Sequence, residues 1–269
     1  MPFSINRTGG VRPGLSAVVL VLSVALTGCG GGTDSVGGAR SSAVGTDAPA
    51  ATSGTTQAKP SRPSADTGAA GSADSARLPG LGPRTLAAVP AEARQVVLVT
   101  GRGRNSPISK VALYRRTDTG WAPGAEWPAH NALRGWTDDH HAGDLRSPIG
   151  VFALTDAGGL LADPGSKLPY DRSGGFTTVG TGFEGEPLAG SFDYVVAINY
   201  NRRPGTSPLD WTRPLGAGRG GGIWLHVDHG GPTHGCVGLA QRHMKELLLT
   251  LDPALHPVVV MGDATSLAR

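Results

Sequence analysis

Residues 220–239 read GGGIWLHVDHGGPTHGCVGL, and the rest of the chain is organised around this stretch. The apolar run Ile223-Trp224-Leu225 leads into His226, and Gly230, Gly231 and Pro232 then break the pattern. If 222–226 is a strand, neighbouring side chains alternate: Ile223 and Leu225 pack one way, Trp224 and His226 face the other. A strand therefore delivers a histidine to a tight, glycine-rich loop that ends on the thiol of Cys236. Asp228, His229 and His234 lie between the two.

A thiol nucleophile with an imidazole one loop away, beside small residues that leave backbone N–H groups exposed, is what acyl transfer needs. A free thiol has a pKa of about 8.5, and a neighbouring imidazole is expected to lower that value by stabilising the thiolate. Histidine also suits proton transfer to a leaving amine, because its own pKa lies near neutrality. Gly235, with no Cβ, allows a carbonyl to approach the nucleophile closely. His229 reads as a turn residue. A second reading of the same residues is a zinc site built from His226, Asp228, His229 or His234 with Cys236. A third is a binding module without catalysis.

Thr233-His234-Gly235-Cys236-Val237, with a strand histidine upstream, resembles the active-site signature of the YkuD (ErfK/YbiS/YcfS/YnhG) family of L,D-transpeptidases. Gly143-Asp144-Leu145-Arg146-Ser147-Pro148-Ile149-Gly150-Val151-Phe152 resembles a second element of that family, with Ser147 where threonine is usual. Leu168-Pro169-Tyr170 looks like a third, on the substrate side. The resemblance implies a β-sandwich or barrel-like catalytic domain over roughly 93–264, with no cofactor and no metal. It implies Cys236 as nucleophile, His226 as base and then acid, His234 as a supporting group, and Gly235 as an oxyanion N–H donor. Tyr170, Trp224 and Thr233 are the substrate-binding candidates. The implied reaction is a thioester formed with a peptidoglycan stem peptide, followed by a 3→3 cross-link, or by hydrolysis when water is the acceptor. Two departures stand out: only ten positions separate His226 from Cys236, and the polar residue usual two places after the cysteine is Gly238.

The chain has 269 residues, with Gly 42, Pro 21 and only 5% aromatics, which points to a long unstructured part beside a smaller folded one. Arg7, Arg12 and the apolar stretch from Leu15 to Leu26 form a targeting layout ending on Leu26-Thr27-Gly28-Cys29. That ending resembles a bacterial lipobox, in which Cys29 is acylated. The apolar stretch is too short to span a bilayer, which takes about 20 residues. Residues 29–92 are rich in Gly, Ser, Ala, Thr and Pro, with no aromatic between Phe3 and Tyr114, and read as a disordered membrane tether. Its reach would be about 40 Å. The expected organisation is thus a lipoprotein signal at 1–28, the tether, and an extracytoplasmic catalytic domain facing the cell wall. Setting aside Arg7 and Arg12 leaves 22 basic against 21 acidic residues, and no basic or aromatic–basic run suggests nucleic-acid binding. No oligomer interface is legible, so a monomer is expected.

Within the folded part, 95–100 (QVVLVT), 110–116 (KVALYRR), 151–154 and 192–200 read as strands, the last with one covered face. Trp121, Trp127 and Trp136 are expected in the core or groove wall. Asp138-Asp139-His140-His141 reads as a solvated loop, because consecutive side chains rarely converge on one ion. The loop 201–222 carries Arg202, Arg203, Arg213 and Arg219, either rimming the groove to meet substrate carboxylates or simply solvated. Residues 240–251 form a helix, with Met244, Leu247, Leu248 and Leu251 on one stripe and Pro253 just beyond. A strand at 257–261 closes the domain. Many strands, one clear helix and no βαβ alternation imply a mostly β domain with a helix packed on it.

Overall fold

The structure, a computed structural model, describes residues 77–269. The signal segment, Cys29 and the tether up to residue 76 lie outside the described residues. Eleven strands are present: β1 (Gln95–Gly101), β2 (Ile108–Thr117), β3 (Gly120–His130), β4 (Trp136–Thr137), β5 (Ser147–Pro148), β6 (Gly150–Gly159), β7 (Tyr170–Arg172), β8 (Val195–Ile198), β9 (Trp224–Val227), β10 (Val237–Leu239) and β11 (Val258–Asp263). The helices are α1 (Pro83–Ala88), α2 (Gln241–Thr250) and α3 (Ala264–Leu267).

Nine strands form one sheet in the order β11-β1-β2-β3-β10-β9-β8-β6-β7. The first half of β6 pairs with β11 and its second half with β8, which closes the sheet into a barrel-like circuit. Strands β4 and β5 form a separate small pair. The mostly β architecture with one packed helix is the one the strand pattern called for. Met244, Leu247, Leu248 and Leu251 are all fully buried, so the predicted stripe is the face α2 presents to the core.

The run QVVLVT has no polar alternation because β1 is covered on both faces. Val97 and Val99 enter the main core with α2, while Val96 and Leu98 join a second cluster containing Leu78 and Leu267. Residues before the expected start of the domain at 93 also pack here: Leu78 is 2% exposed. Gly82 N–H donates to Leu267 O at 2.9 Å, so the two ends of the folded body meet. Sparse apolar residues such as Leu78, Leu81, Leu86 and Val89 cannot build a core, but they cap a sheet face that already exists.

Two further strand expectations are corrected. Strand β3 was not foreseen, because Pro123 and Pro128 interrupt GWAPGAEWPAH. It pairs with β2 along its length but with β10 only through Ala129 and His130, so the prolines fall where one side has no ladder. Strand β8 has all four residues buried: Val196 and Ile198 face the main core, Val195 and Ala197 a smaller cluster with Trp224. Trp121, Trp127 and Trp136 are core residues, as expected.

The long loop 199–222 is tied to β6 by a buried ion pair. Arg202 Nη1 donates to Asp156 Oδ2 at 2.7 Å, with both side chains nearly fully covered. Arg202 also donates to Asn199 Oδ1 and Thr206 O, and Gly205 N–H donates to Asp156 Oδ2. Arg202 is therefore neither a groove rim nor a solvated charge. Removing one partner leaves an uncompensated buried charge. Asp156→Asn is expected to lower the unfolding free energy by about 3–5 kcal/mol in urea titrations; a loss under about 1 kcal/mol would show that the pair is not what holds this loop.

Candidate active site

Strands β9 and β10 run parallel and side by side, with Leu225 opposite Val237, His226 opposite Gly238 and Val227 opposite Leu239. Continuing that register backwards sets Cys236 opposite Trp224. Side chains two apart share a face, so Trp224, His226 and Cys236 all point to one side while Ile223, Leu225 and Val227 enter the main core. Cys236 and His226 are thus diagonal neighbours on that face, a spacing of about 7–8 Å or somewhat less between Cβ atoms in sheets.

Parallel neighbours ordinarily need a connection of about a dozen residues or more; here nine, Asp228 to Cys236, suffice. The chain must return about 13 Å along the strand direction, and nine residues can span about 30 Å. The loop is fastened at several points. Asp228 accepts from His130 Nδ1 on β3 at 3.0 Å. Burial opposes ionisation of Asp228, but His130 and the Gly230 N–H hold its carboxyl below the ordinary value, while the Asp228 hydrogen bond raises His130. Thr233 N–H donates to Asn131 O at 3.0 Å, and its Oγ1 donates to Cys236 O at 2.7 Å. Gly238 has a steric reason: a Cβ there would come within 2.9 Å of Asp228 Oδ1.

Cys236, Trp224, His226, His229, Thr233 and His234 line one cavity of about 440 Å³. Cys236 and His234 also line an adjoining cavity of about 390 Å³, together with Gly235, His140 and Arg213. Tyr170 is not brought to either. It begins β7 at the far end of β6, its hydroxyl donates to Leu161 O, and it borders a separate hollow with Asp156 and Pro208. The Leu-Pro-Tyr pattern marks the start of a strand but not which end of the sheet that strand occupies.

His226 is buried, and its Nδ1–H donates to Val227 O at 2.8 Å, which leaves Nε2 as the lone-pair nitrogen. Its ring stands edge-on to Phe192 and parallel to His229, with centroids 5.5 and 5.9 Å away. Burial, aided by the His229 ring, lowers its pKa to about 4. The Cys236 sulfur accepts from Trp224 N–H at 3.4 Å and donates to Gly222 O at 3.5 Å. Burial raises the thiol to about 11, and only the Trp224 N–H acts in the other direction. The expectation that an imidazole depresses this thiol is therefore corrected: both shifts favour the neutral forms at neutral pH. Among the described residues, the N–H groups of His234, Gly235 and Cys236 donate to no acceptor, and the buried Trp224 Nε1–H has none either.

Several residues were missed or misread. His229 lies in the loop, but its Nδ1 is 2.9 Å from Glu186 Oε1 with both side chains largely covered, so it is a paired cavity residue rather than a free turn residue. Glu186 carried no sequence signal, being forty-three positions away on the segment before β8. Phe183 of the same segment lies over the exposed His234 ring, with centroids 4.6 Å apart. The zinc donor set is dispersed, since Asp228 turns to His130 and His229 to Glu186. The Asp138–His141 run also diverges: Asp138 pairs with Arg269, Asp139 with Arg219, and His140 is buried against Tyr200.

No curated protein matches the chain. Among solved structures, it is similar to the helical cell shape determining protein Pgp2 from Campylobacter jejuni, at 16% identity and a TM-score of 0.38, covering 63% of this chain and 48% of that one. Bd1075 of Bdellovibrio bacteriovorus shares 19% identity at a TM-score of 0.35, covering 64% and 48%. Mycobacterium tuberculosis L,D-transpeptidase 1 shares 10% at 0.31, covering 62% and 60%. The chain thus spans about half the length of the first two. The YkuD family model, described as an L,D-transpeptidase catalytic domain, matches residues 140–260, from the turn before β5 to within β11. Over residues 140–260, the chain is similar to the YkuD L,D-transpeptidase catalytic domain.

Proposed function

We propose that the chain is a cysteine acyltransferase acting outside the cytoplasm on peptidoglycan stem peptides, with Cys236 as nucleophile and His226 as its base. The observation that carries this reading is the shared face of β9 and β10, where the thiol and the lone-pair nitrogen of a Nδ1–H imidazole line one cavity. Cys236 attacks the carbonyl of the third residue of a tetrapeptide stem while His226 Nε2 takes the thiol proton. The N–H groups of Gly235 and Cys236, with that of His234, receive the developing oxyanion. The protonated His226 gives its proton to the departing amine of the terminal D-alanine, leaving a thioester on Cys236. The amine of a second stem then attacks that thioester, the proton returns through His226, and a 3→3 cross-link forms. Trp224 and Thr233, which line the cavity with Cys236, border the acyl group.

The electrostatics suit a base that works only in concert with attack. With His226 near 4 and the thiol near 11, the neutral pair is the resting form across the whole neutral range. Partial removal of water from the site strengthens the oxyanion contacts once charge develops. We also infer that the protein is held at the membrane through a lipid on Cys29; if so, Cys29→Ala should move it from the membrane fraction to the soluble one.

Two outcomes test the catalytic reading. Intact-mass spectrometry after incubation with a carbapenem should show a covalent adduct on the wild-type chain and none on Cys236→Ala. His226→Ala should form the adduct about 10²–10⁴-fold more slowly; an unchanged rate would remove His226 from the mechanism. The acylation rate should stay level between the two titrations, falling only as pH drops towards about 4, where His226 takes a proton. An acid limb near the ordinary histidine value of about 6.5 would contradict the buried neutral base.

A further inference from the structure

We propose that Arg213 is the carboxylate-binding residue of this site, holding the free C-terminal carboxylate of the acyl donor's leaving residue. The inference rests on the acyl-transfer reading above and adds the group that selects a chain end. Arg213 lines the cavity that adjoins Cys236 on the side of Gly235. Its Nη1 is committed, donating to Asp210 O and Thr212 O at 3.0 Å each. The guanidinium is also stacked on the Trp211 ring, 4.8 Å from its centroid. Among the described residues, Nε and Nη2 have no acceptor and no carboxylate pairs with this arginine. Two of its loop neighbours differ: Arg202 is matched by Asp156 and Arg219 by Asp139, while Arg203 is exposed and away from the cavity lining.

A guanidinium held by one nitrogen and one face, with its Nε/Nη2 edge unused, presents the fork that receives a carboxylate in two parallel hydrogen bonds. The backbone beside it is shaped for that group. Gly221 and Gly222 both have positive φ, at +144° and +67°. A Cβ on Gly221 would fall 2.3 Å from Arg213 Nε, and one on Gly222 would lie 3.4 Å from Nη2. The carbonyl of Gly222 is also the acceptor of the Cys236 thiol. One residue therefore lies between the reacting sulfur and the free nitrogen. On the substrate side, the terminal carboxylate is likewise one residue, about 3.8 Å of backbone, beyond the scissile carbonyl. A side-chain carboxylate on the acyl residue is the other source of the same chemistry.

The test uses four synthetic tetrapeptides, with lysine or diaminopimelate at the third position, each ending in D-alanine as the free acid or the carboxamide. Release of D-alanine or its amide is measured with the wild type, Arg213→Gln and Arg213→Lys. The wild type should prefer the acid by on the order of 10- to 100-fold. Arg213→Gln should lose that preference mainly through KM, and Arg213→Lys should keep part of it. Alkylation of Cys236 by neutral iodoacetamide at the wild-type rate verifies the fold of each variant, and if Arg213→Gln fails that check the wild-type and lysine results decide. Equal use of acid and carboxamide by the wild type, or a preference that survives in Arg213→Gln, overturns the inference and leaves the acyl-transfer reading intact. A preference that follows the third-residue carboxylate instead also overturns it, assigning Arg213 to the acyl side chain. If the wild type releases neither product from any peptide, the acyl-transfer reading fails and this inference with it.

Discussion

The parallel pairing of β9 with β10 is the constraint on which the site depends. It joins two strands that are close in sequence by a loop too short for a helical crossover, and its register decides what faces what. A slip of one residue would turn Cys236 into the main core and leave His226 facing an apolar wall. The register is held from both sides. Towards the core, Leu225, Val227, Val237 and Leu239 pack with the fully buried stripe of α2. Towards the cavity, His130 on β3 and Glu186 on the segment before β8 each take one polar residue of the loop.

Those two contacts also organise the charge. Asp228 and Glu186 are carboxylates near the reacting groups, yet each is occupied by its own histidine. Neither is positioned to act as the direct partner of His226, whose Nδ1–H goes to a backbone carbonyl instead. A carbonyl fixes the tautomer without offering a full negative charge, so the Val227 carbonyl, together with the Asp228 charge and the Ser191 backbone, offsets only part of the burial that lowers the His226 pKa. The thiol is in the same condition, with one N–H donor and no cation against it. The result is a partly covered neutral thiol on the same sheet face as a buried neutral imidazole, the pairing that the proposed proton transfer requires.

Much of this was legible in the residues. The strand that carries His226, the alternation of Ile223 and Leu225 against Trp224, and the α2 stripe all follow from local periodicity, and each is present where the pattern put it. What escaped has a common physical cause: it depends on long-range pairing. Glu186 has no meaning until the segment before β8 folds over the loop. Arg202 resembles its loop neighbours until Asp156 on β6 meets it. Strand β3 contains two prolines that argue against a strand until its edge position is known. Leu78 to Val89 looked like tether because the sheet face that they cover is assembled from β1 and β11, at opposite ends of the folded part. The depressed thiol pKa failed for a different reason, since sequence proximity supplies a neighbour but not its solvation.

The claim at the centre is that Cys236 is an uncharged thiol in the substrate-free protein at neutral pH. The ultraviolet thiolate absorbance of the full-length protein, titrated against Cys236→Ser as the blank, measures this directly. The account predicts no thiolate signal at neutral pH and a single rise towards about 11. A thiolate already present at neutral pH beside a protonated His226, and lost on acidification as the sulfur takes up a proton, would contradict it.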